Sequence, residues 1–127
     1  MHIVVVAAVI ERDGRFLLTL RPEGTHLAHH WEFPGGKCDP HESHAEALRR
    51  ELHEELDILA EVGDLVHSVT HQYPDRAVEL HFYRCGFAGV PKPMIGQQVA
   101  WMARDQLGSV PFPEADAQLI ARLIAGA

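Results

Sequence analysis

Three glutamates lie close together in one short segment of the sequence: Glu51, Glu54 and Glu55. On a helix, at about 100° per residue, these side chains share one side. The apolar residues of the segment lie on another side: Ala45, Leu48, Leu52 and Leu56. Like charges three or four residues apart destabilise a helix by roughly 0.2–0.5 kcal/mol per pair, and acids near its carboxyl end oppose the helix dipole. The pattern predicts a helix with one packing face and one acidic face whose charge must be compensated.

Two sources of compensation are open. Arg50 could bridge Glu46 and Glu54, each one helical turn away, on an ordinary solvated face. Alternatively, Mg²⁺ or Mn²⁺ could neutralise the carboxylates, because these ions prefer hard oxygen ligands. Residues 34–36, Pro-Gly-Gly, precede the segment, and they allow a tight backbone path that exposes main-chain carbonyl and N–H groups. This glycine loop favours the metal hypothesis.

The segment resembles the signature of the Nudix hydrolase family. That signature is a Gly, five residues, a Glu, seven residues, and then Arg-Glu-aliphatic-any-Glu-Glu-any-Gly-aliphatic. The chain matches it at eight positions: Gly36, Glu42, Arg50, Glu51, Leu52, Glu54, Glu55 and Ile58. Asp57 stands where the family has Gly. Since Asp enters the left-handed conformation more readily than most residues, we expect Asp57 to cap the helix there.

The resemblance implies an enzyme that hydrolyses phosphoanhydride bonds with the help of a divalent cation. The implied ligands of Mg²⁺ or Mn²⁺ are the main-chain carbonyl of Gly35 and the carboxylates of Glu51, Glu54 and Glu55. One of these glutamates, or a water held by it, would act on the nucleophile. Arg50 would orient the glutamates through salt bridges, while Gly36 and Glu42 would have structural roles in the motif. Ordinary capping and pairing is the alternative interpretation of Glu42 and Arg50.

The likeness extends to the MutT branch of the family over nearly the whole chain. Four further stretches carry it: residues 25–27, 31–37, 73–76 and 112–116. That branch cleaves nucleoside triphosphates to a monophosphate and pyrophosphate and removes 8-oxo-dGTP. The implied substrate-binding residues are Arg21 and Lys37 for phosphate, Arg76 for the base or sugar, and Phe33, Phe112 and Asp116 around the base. Phe33 and Phe112 could also be ordinary core aromatics.

Two positions depart from the MutT pattern. Ile95, with Gln97 and Gln98 nearby, aligns where MutT carries an additional metal-binding glutamate, and a neutral residue cannot supply that charge. Asp116 stands where MutT has an asparagine that reads oxidised guanine. Ionised Asp only accepts hydrogen bonds, so it suits the amino group of cytosine as well as the N7 hydrogen of 8-oxoguanine. CTP or dCTP is therefore the alternative substrate, and helix stabilisation is the alternative role of Asp116.

A second class of protein also stays open on the sequence. Because Ile95 replaces a charged residue, the fold could serve as a nucleotide-binding sensor that lacks turnover. The three glutamates of the signature argue against this, since a protein that only binds has no evident need for so much repulsion. The enzyme hypothesis is therefore preferred.

Composition limits the partners and the setting. The length of 127 residues fits one domain, residues 1–127. A net charge of -7 argues against binding to a nucleic-acid polymer, whereas a small nucleoside triphosphate is compatible with a metal site. The apolar run at residues 3–10 is too short to span a membrane, and two cysteines, Cys38 and Cys85, provide no disulfide framework. We expect a cytoplasmic protein, either a monomer or a homodimer.

The remaining patterns predict the elements around the signature. Strands are expected at residues 3–9 and 16–20, joined as a hairpin by turn residues 12–14, and further extended segments at residues 31–33, 77–87 and 99–102. The signature helix should begin at Ser43 with a capping box to Glu46. A terminal helix from Glu114 should bury Leu119, Ile120, Leu123 and Ile124. Together they predict an α/β protein, and the resemblance implies an α/β/α sandwich with a mixed β-sheet between helices.

Overall fold

A computed structural model describes residues 2–25 and 28–127. His26 and Leu27, which belong to the 25–27 stretch, lie outside the described residues. In the described part, the chain forms eight strands and two α-helices: β1 (His2–Val9), β2 (Glu11–Arg12), β3 (Arg15–Leu20), β4 (Trp31–Glu32), β5 (Gly35–Lys37), α1 (His44–Leu56), β6 (Leu59–Gln72), β7 (Ala77–Ala88), β8 (Gln98–Ala103) and α2 (Ala117–Ile124). Short 3₁₀ turns occupy Arg104–Ser109 and Glu114–Asp116. No helix of these residues is long and apolar enough to cross a membrane.

The strands form two sheets between the two helices. The first sheet has the order β5-β1-β7-β6, with β1 parallel to β7 and the other pairs antiparallel. The second is antiparallel and places β3 between β4 and β8, with β2 also paired to β3. Along β1, Val6 and Ala8 pack in one core with α1, whereas Ala7 and Val9 pack in the other core with α2, as alternation in a strand requires. The predicted α/β class, with a mixed sheet between helices, is confirmed.

Both ends of α1 form as the sequence predicts. The Ser43 side chain accepts a hydrogen bond from the Glu46 N–H, and the Glu46 carboxylate accepts one from the Ser43 N–H. Asp57 has φ 56° and ψ 37°, and its N–H reaches the carbonyls of the last helical turn. The left-handed cap is thus made by Asp. One residue of the predicted buried face is wrong. Ala45 is only half-buried, and Ala47 is buried instead.

The predicted hairpin is partly wrong. The turn forms, because Asp13 and Gly14 have φ values of 54° and 75°, as a two-residue hairpin turn requires. It joins β3 to the two-residue strand β2 only. The long first strand, β1, pairs instead with β5 and β7. Local turn chemistry identifies the turn but not the partner of β1, which lies far away in the sequence.

Two other segments also correct the sequence interpretation. Gly35 and Gly36 belong to strand β5, paired with Ala7 and Val6 of β1, and do not form a loop. Residues 61–73, for which the sequence predicted no element because their apolar residues do not alternate, lie mostly within the long strand β6. Its pairing with β7 is irregular between Val62 and His67, and such bulges interrupt the two-residue period that reveals a strand.

The terminal helix begins three residues later than the sequence predicts. Glu114 begins a 3₁₀ turn, and α2 follows from Ala117. Leu119, Ile120 and Leu123 are buried as predicted. The predicted burial of Ile124 is wrong, because 46% of this residue is exposed at the end of the helix.

His44 provides a test of how α1 docks on the sheet. Its ring centroid lies 4.5 Å from that of His81, and its Nδ1 lies 2.6 Å from the Tyr83 hydroxyl oxygen. Burial, followed by the charge of His81, lowers the pKa of His44 below 6.5, while Glu79 acts weakly in the opposite direction. The unfolded chain therefore binds this proton at a higher pH than the folded one. The free energy of unfolding must fall as the pH drops through about 6.5.

We expect His44→Gln to lose less stability than the parent protein between about pH 7.5 and pH 5.5. Urea denaturation at each pH measures the free energy of unfolding. His41→Gln is the matched control, because His41 is exposed in the loop before the helix. Equal losses of stability in His44→Gln and in the parent would contradict this account of the helix contact.

Candidate active site

Arg50 is the centre of the acidic face of α1. Its Nε and Nη2 both donate to the Glu42 carboxylate at 2.7 Å, and its Nη1 donates to Glu51 at 2.9 Å. Glu54 is more distant, with 3.5 Å between its Oε2 and Nη1. The hydrogen bonds from Arg50 to Glu42, followed by the hydrogen bond from the Asp39 N–H, lower the pKa of Glu42 to about 2. Arg50 therefore fixes the direction of the Glu42 and Glu51 carboxylates and holds the Glu54 carboxylate more loosely.

The same arginine ties the helix to the sheet. Arg50 Nη2 donates to the Lys37 carbonyl at the end of β5, at 3.1 Å. The bridge from Arg50 to Glu46 that an ordinary solvated face predicts is absent among the described ion pairs, because Glu46 is engaged in the capping box with Ser43. The partner of Arg50 is instead Glu42, which precedes the helix.

Each glycine of β5 makes a different close approach. A Cβ on Gly35 would lie 2.0 Å from the Val6 carbonyl oxygen, which belongs to the backbone of β1. A Cβ on Gly36 would lie 2.4 Å from the Glu51 carboxylate carbon. Gly35 is therefore needed for the sheet itself, whereas Gly36 makes room for one acidic side chain of α1. The sequence suggested close approach at these glycines but not what approaches them.

Glu55 faces a cavity of about 530 Å³. Gly35, Gly36 and Lys37 line the same cavity, as do Ile95 and Gln97. Burial, followed by the charges of Glu51, Glu32 and Glu54, raises the pKa of Glu55 to about 8, against a backbone hydrogen bond from Gly35 that lowers it. The carboxyl group is thus surrounded by other acids in a partly dehydrated position.

The donor set fits a divalent cation by its chemistry. Carboxylates and a main-chain carbonyl are hard oxygen ligands. Glu55 receives a backbone hydrogen bond from Gly35, and α1 carries Glu51 and Glu54 within one turn of it. Among residues 2–25 and 28–127, however, no three His, Cys, Asp or Glu side chains are close enough together to hold a metal unaided. Glu51 lies against Gly36 and Arg50, and the Glu54 side chain is 57% exposed. The carboxylates share a surface without forming a closed coordination shell.

A second group of polar residues lines the cavity. Asp116 is only 4% exposed, and burial, followed by the charge of Glu32, raises its pKa to about 7. Its side chain makes no capping hydrogen bond to α2. Arg21 Nη1 donates to Glu32 Oε2 at 2.8 Å, and both residues line the cavity with Phe33. One wall of the cavity, which we call the half-aromatic wall, is thus formed by Arg21, Glu32, Phe33 and Asp116.

Two of the predicted substrate-binding residues lie outside this wall. The Arg76 guanidinium lies 5.7 Å from the ring centroid of Tyr73, and Tyr73, not Arg76, lines the cavity. The Phe112 ring stacks on Phe33 with centroids 5.8 Å apart and so supports the half-aromatic wall from outside. Lys37 lines the cavity and is exposed.

The sequence did not indicate a site role for Glu32, and it placed Gln97 only as a neutral neighbour of Ile95. Glu32 lies between Trp31 and Phe33 in an apolar extended segment, and an acid in such a position is itself a signal of a polar pocket. Gln97 is 7% exposed, but nothing in its neighbouring sequence reveals that burial.

Comparisons with known proteins agree with this geometry. A sequence model of the NUDIX domain matches residues 5–122. The CTP pyrophosphohydrolase of Escherichia coli is 40% identical over 97% of this chain and 92% of its own. The 8-oxo-dGTP diphosphatase of Haemophilus influenzae is 39% identical over 96% of this chain and 92% of its own. The solution structure of the E. coli ORF135 protein superposes with a TM-score of 0.88 at 40% identity, covering 98% of this chain and 89% of the other.

An α/β fold with an acidic helix beside a cavity of about 530 Å³ suits a phosphoanhydride hydrolase, and the family match establishes that class. The chain belongs to the Nudix family. It is a Nudix hydrolase of the MutT type, and its relatives are named as nucleotide pyrophosphohydrolases and diphosphatases.

Gly36→Ala tests whether Glu51 must lie where it does. The added methyl group would meet the end of a flexible side chain, so Glu51 should move while the fold persists. We expect the kcat for nucleotide hydrolysis to fall about tenfold or more, with little change in the urea midpoint.

Gly86→Ala is the matched control, since its Cβ would meet only Glu61 Oε2 at 3.8 Å, an ordinary contact. It should keep full activity. An unchanged kcat in Gly36→Ala would show that the position of Glu51 against β5 does not matter for turnover.

Proposed function

We propose that this Nudix hydrolase cleaves a nucleoside triphosphate to the monophosphate and pyrophosphate, with 8-oxo-dGTP as the preferred substrate. The observation that carries the proposal is that one cavity is lined both by Glu55 and Gly35 and by Asp116 and Phe33. A nucleotide in it could meet the acidic helix and the half-aromatic wall together. The names of the relatives support this class of substrate. The substrate is a small molecule, and a cytoplasmic location and a monomeric or homodimeric state stay predictions.

The residues of the acidic helix would prepare the hydrolysis. Bound Mg²⁺ or Mn²⁺ would neutralise phosphate charge and help to ionise the attacking water. Glu51, Glu54, Glu55 and the Gly35 carbonyl would hold the ions, and one glutamate would accept the proton of the water. Arg50 keeps Glu51 directed toward β5 through its hydrogen bonds.

Other residues of the cavity would position the substrate. The Lys37 ammonium, on an exposed side chain at the cavity, would contact phosphate as a flexible point charge. Arg21 is held by Glu32 and would act on the nucleotide from that position. Phe33 would contact the base, while Phe112 and Arg76 would act through Phe33 and Tyr73, on which they pack.

Asp116 supports the choice of an oxidised purine. A protonated carboxyl group both donates and accepts hydrogen bonds. It can accept from the N7 hydrogen of 8-oxoguanine and donate to O6, as an asparagine would. Because burial raises the pKa of Asp116 to about 7, the protonated form is well populated near neutral pH.

The same residue favours a second candidate at higher pH. Ionised Asp116 offers only acceptors, which suit the amino group of cytosine. A relative that is 40% identical is named CTP pyrophosphohydrolase. CTP or dCTP is therefore the alternative substrate.

The pH dependence of specificity distinguishes these substrates. We expect the ratio of kcat/KM for 8-oxo-dGTP to that for dCTP to fall as the pH rises through about 7, because Asp116 then loses the proton it donates. Asp116→Asn should make the ratio high and independent of pH. Steady-state assays of pyrophosphate release measure both values. A ratio that does not change with pH in the parent, or that Asp116→Asn leaves unaltered, would remove Asp116 from base recognition.

Glu54→Gln tests the enzyme against the alternative of a sensor. We expect pyrophosphate release to fall roughly 100-fold or more, since metal stabilisation of transition-state charge is worth several kcal/mol and each 1.4 kcal/mol is tenfold in rate. Glu46→Gln is the control on the same helix, because Gln also completes a capping box. If the parent binds nucleotides but forms no product with Mg²⁺ over a long incubation, the protein is a sensor.

A further inference from the structure

The carboxyl end of α1 receives its hydrogen bonds from a distant segment. The last carbonyls of a helix have no partner within the helix. Here the Leu56 carbonyl accepts from the Lys92 N–H at 2.9 Å, and the Glu55 carbonyl accepts from the Met94 N–H at 3.0 Å. Residues 92–97, which we call the capping loop, thus complete the last turn of the helix that carries Glu55.

Gln97 makes the third of these bonds with its side chain. Its Nε2 donates to the Glu55 carbonyl at 2.9 Å, and its Oε1 accepts from the Ile95 N–H at 3.1 Å. Both ends of one amide are therefore used, one on the helix and one within the capping loop. Gln97 is 7% exposed and lines the same cavity as Glu55 and Ile95. Gln98, the next residue, is exposed.

We propose that Gln97 is a positioning residue that locks the capping loop onto the last turn of α1 and thereby sets where the Glu55 carboxylate lies. The inference rests on the proposed role of Glu55 in the active site. The last turn of a helix is where its backbone is least constrained, and Glu55 is the penultimate residue of α1. A polar side chain buried with both hydrogen-bonding ends satisfied fixes its partners. Loss of the amide would leave the Glu55 carbonyl with Met94 alone and the Ile95 N–H without Gln97.

Gln97→Met removes both hydrogen bonds at nearly constant volume, and Gln98→Met is the matched control. For Gln97→Met we expect kcat to fall about tenfold or more with KM within about twofold of the parent, because an outer residue that orients a ligand typically contributes 10–100-fold. Calorimetry with Mn²⁺ alone should show weaker binding by a similar factor. In protein without metal or nucleotide, the Ile95 amide should exchange its hydrogen faster. Gln98→Met should match the parent in all three measurements.

The outcomes separate positioning from simple stability. If Gln97→Met lowers the urea midpoint but leaves kcat and Mn²⁺ affinity at the values of the parent, the inference is overturned. Gln97→Asn keeps the amide on a shorter side chain that cannot span both partners, and it should lose kcat in the same direction; it replaces Gln97→Met if that variant does not fold. If the parent itself hydrolyses no nucleotide, the proposed function fails, while the Mn²⁺ affinity and Ile95 exchange still decide the role of Gln97.

Discussion

The main constraint on the structure is the repulsion among several carboxylates that share one positive partner, the Arg50 guanidinium. Arg50 lies within 4 Å of acidic oxygens on Asp39, Glu42, Glu51 and Glu54. A single positive charge cannot neutralise four negative ones, so this surface retains negative charge even when every hydrogen bond of Arg50 is made. Glu55 adds a further carboxyl group in a partly buried position. An acidic surface of this kind on a helix that is otherwise well capped and well packed is expected where hard cations bind.

The fold holds this costly surface in place from several sides. Four buried residues of α1 pack in one core with β1: Ala47, Leu48, Leu52 and Leu56. A capping box fixes the start of the helix, and Asp57 in a left-handed conformation ends it. In strand β5, Gly35 lets the backbone of β1 come close, and Gly36 makes room for the Glu51 carboxylate. At the same carboxyl end, the capping loop donates hydrogen bonds to the carbonyls of Glu55 and Leu56. Together these contacts hold α1 in place on the sheet, and chemistry on a triphosphate requires such fixed positions of the acidic side chains.

Features governed by neighbouring residues could be predicted from the sequence. The capping box at Ser43, the cap at Asp57, the turn at Asp13 and the apolar strands β1, β7 and β8 all depend on patterns a few residues long. The acidic face was also predictable, because helical periodicity alone brings Glu51, Glu54 and Glu55 together. The family resemblance added their implied role. Asp116 was singled out by its departure from that pattern.

Features governed by distant contacts could not be predicted in this way. The pairing of β1 with β7 joins residues that are about 75 positions apart in sequence, as in His2 with Ala77, and no local pattern specifies it. The bulges of β6 hid a long strand because they interrupt its alternation. Arg50 pairs with Glu42 and not with Glu46, because the Glu46 carboxylate accepts the hydrogen bond from the Ser43 N–H in the capping box. Gln97 reads as an ordinary polar residue until the fold buries it beside the carbonyl of Glu55.

We propose that the acidic surface of α1 binds divalent cations beside Gly35. A crystal of the protein soaked in Mn²⁺ with a non-hydrolysable nucleotide tests it directly by anomalous diffraction. We expect manganese peaks bonded to the Gly35 carbonyl oxygen and to carboxylates among Glu51, Glu54 and Glu55, with the phosphates on the opposite side of the ions. Nucleotide bound in the cavity with no manganese beside α1, and with the carboxylates still held only by Arg50, would contradict the account.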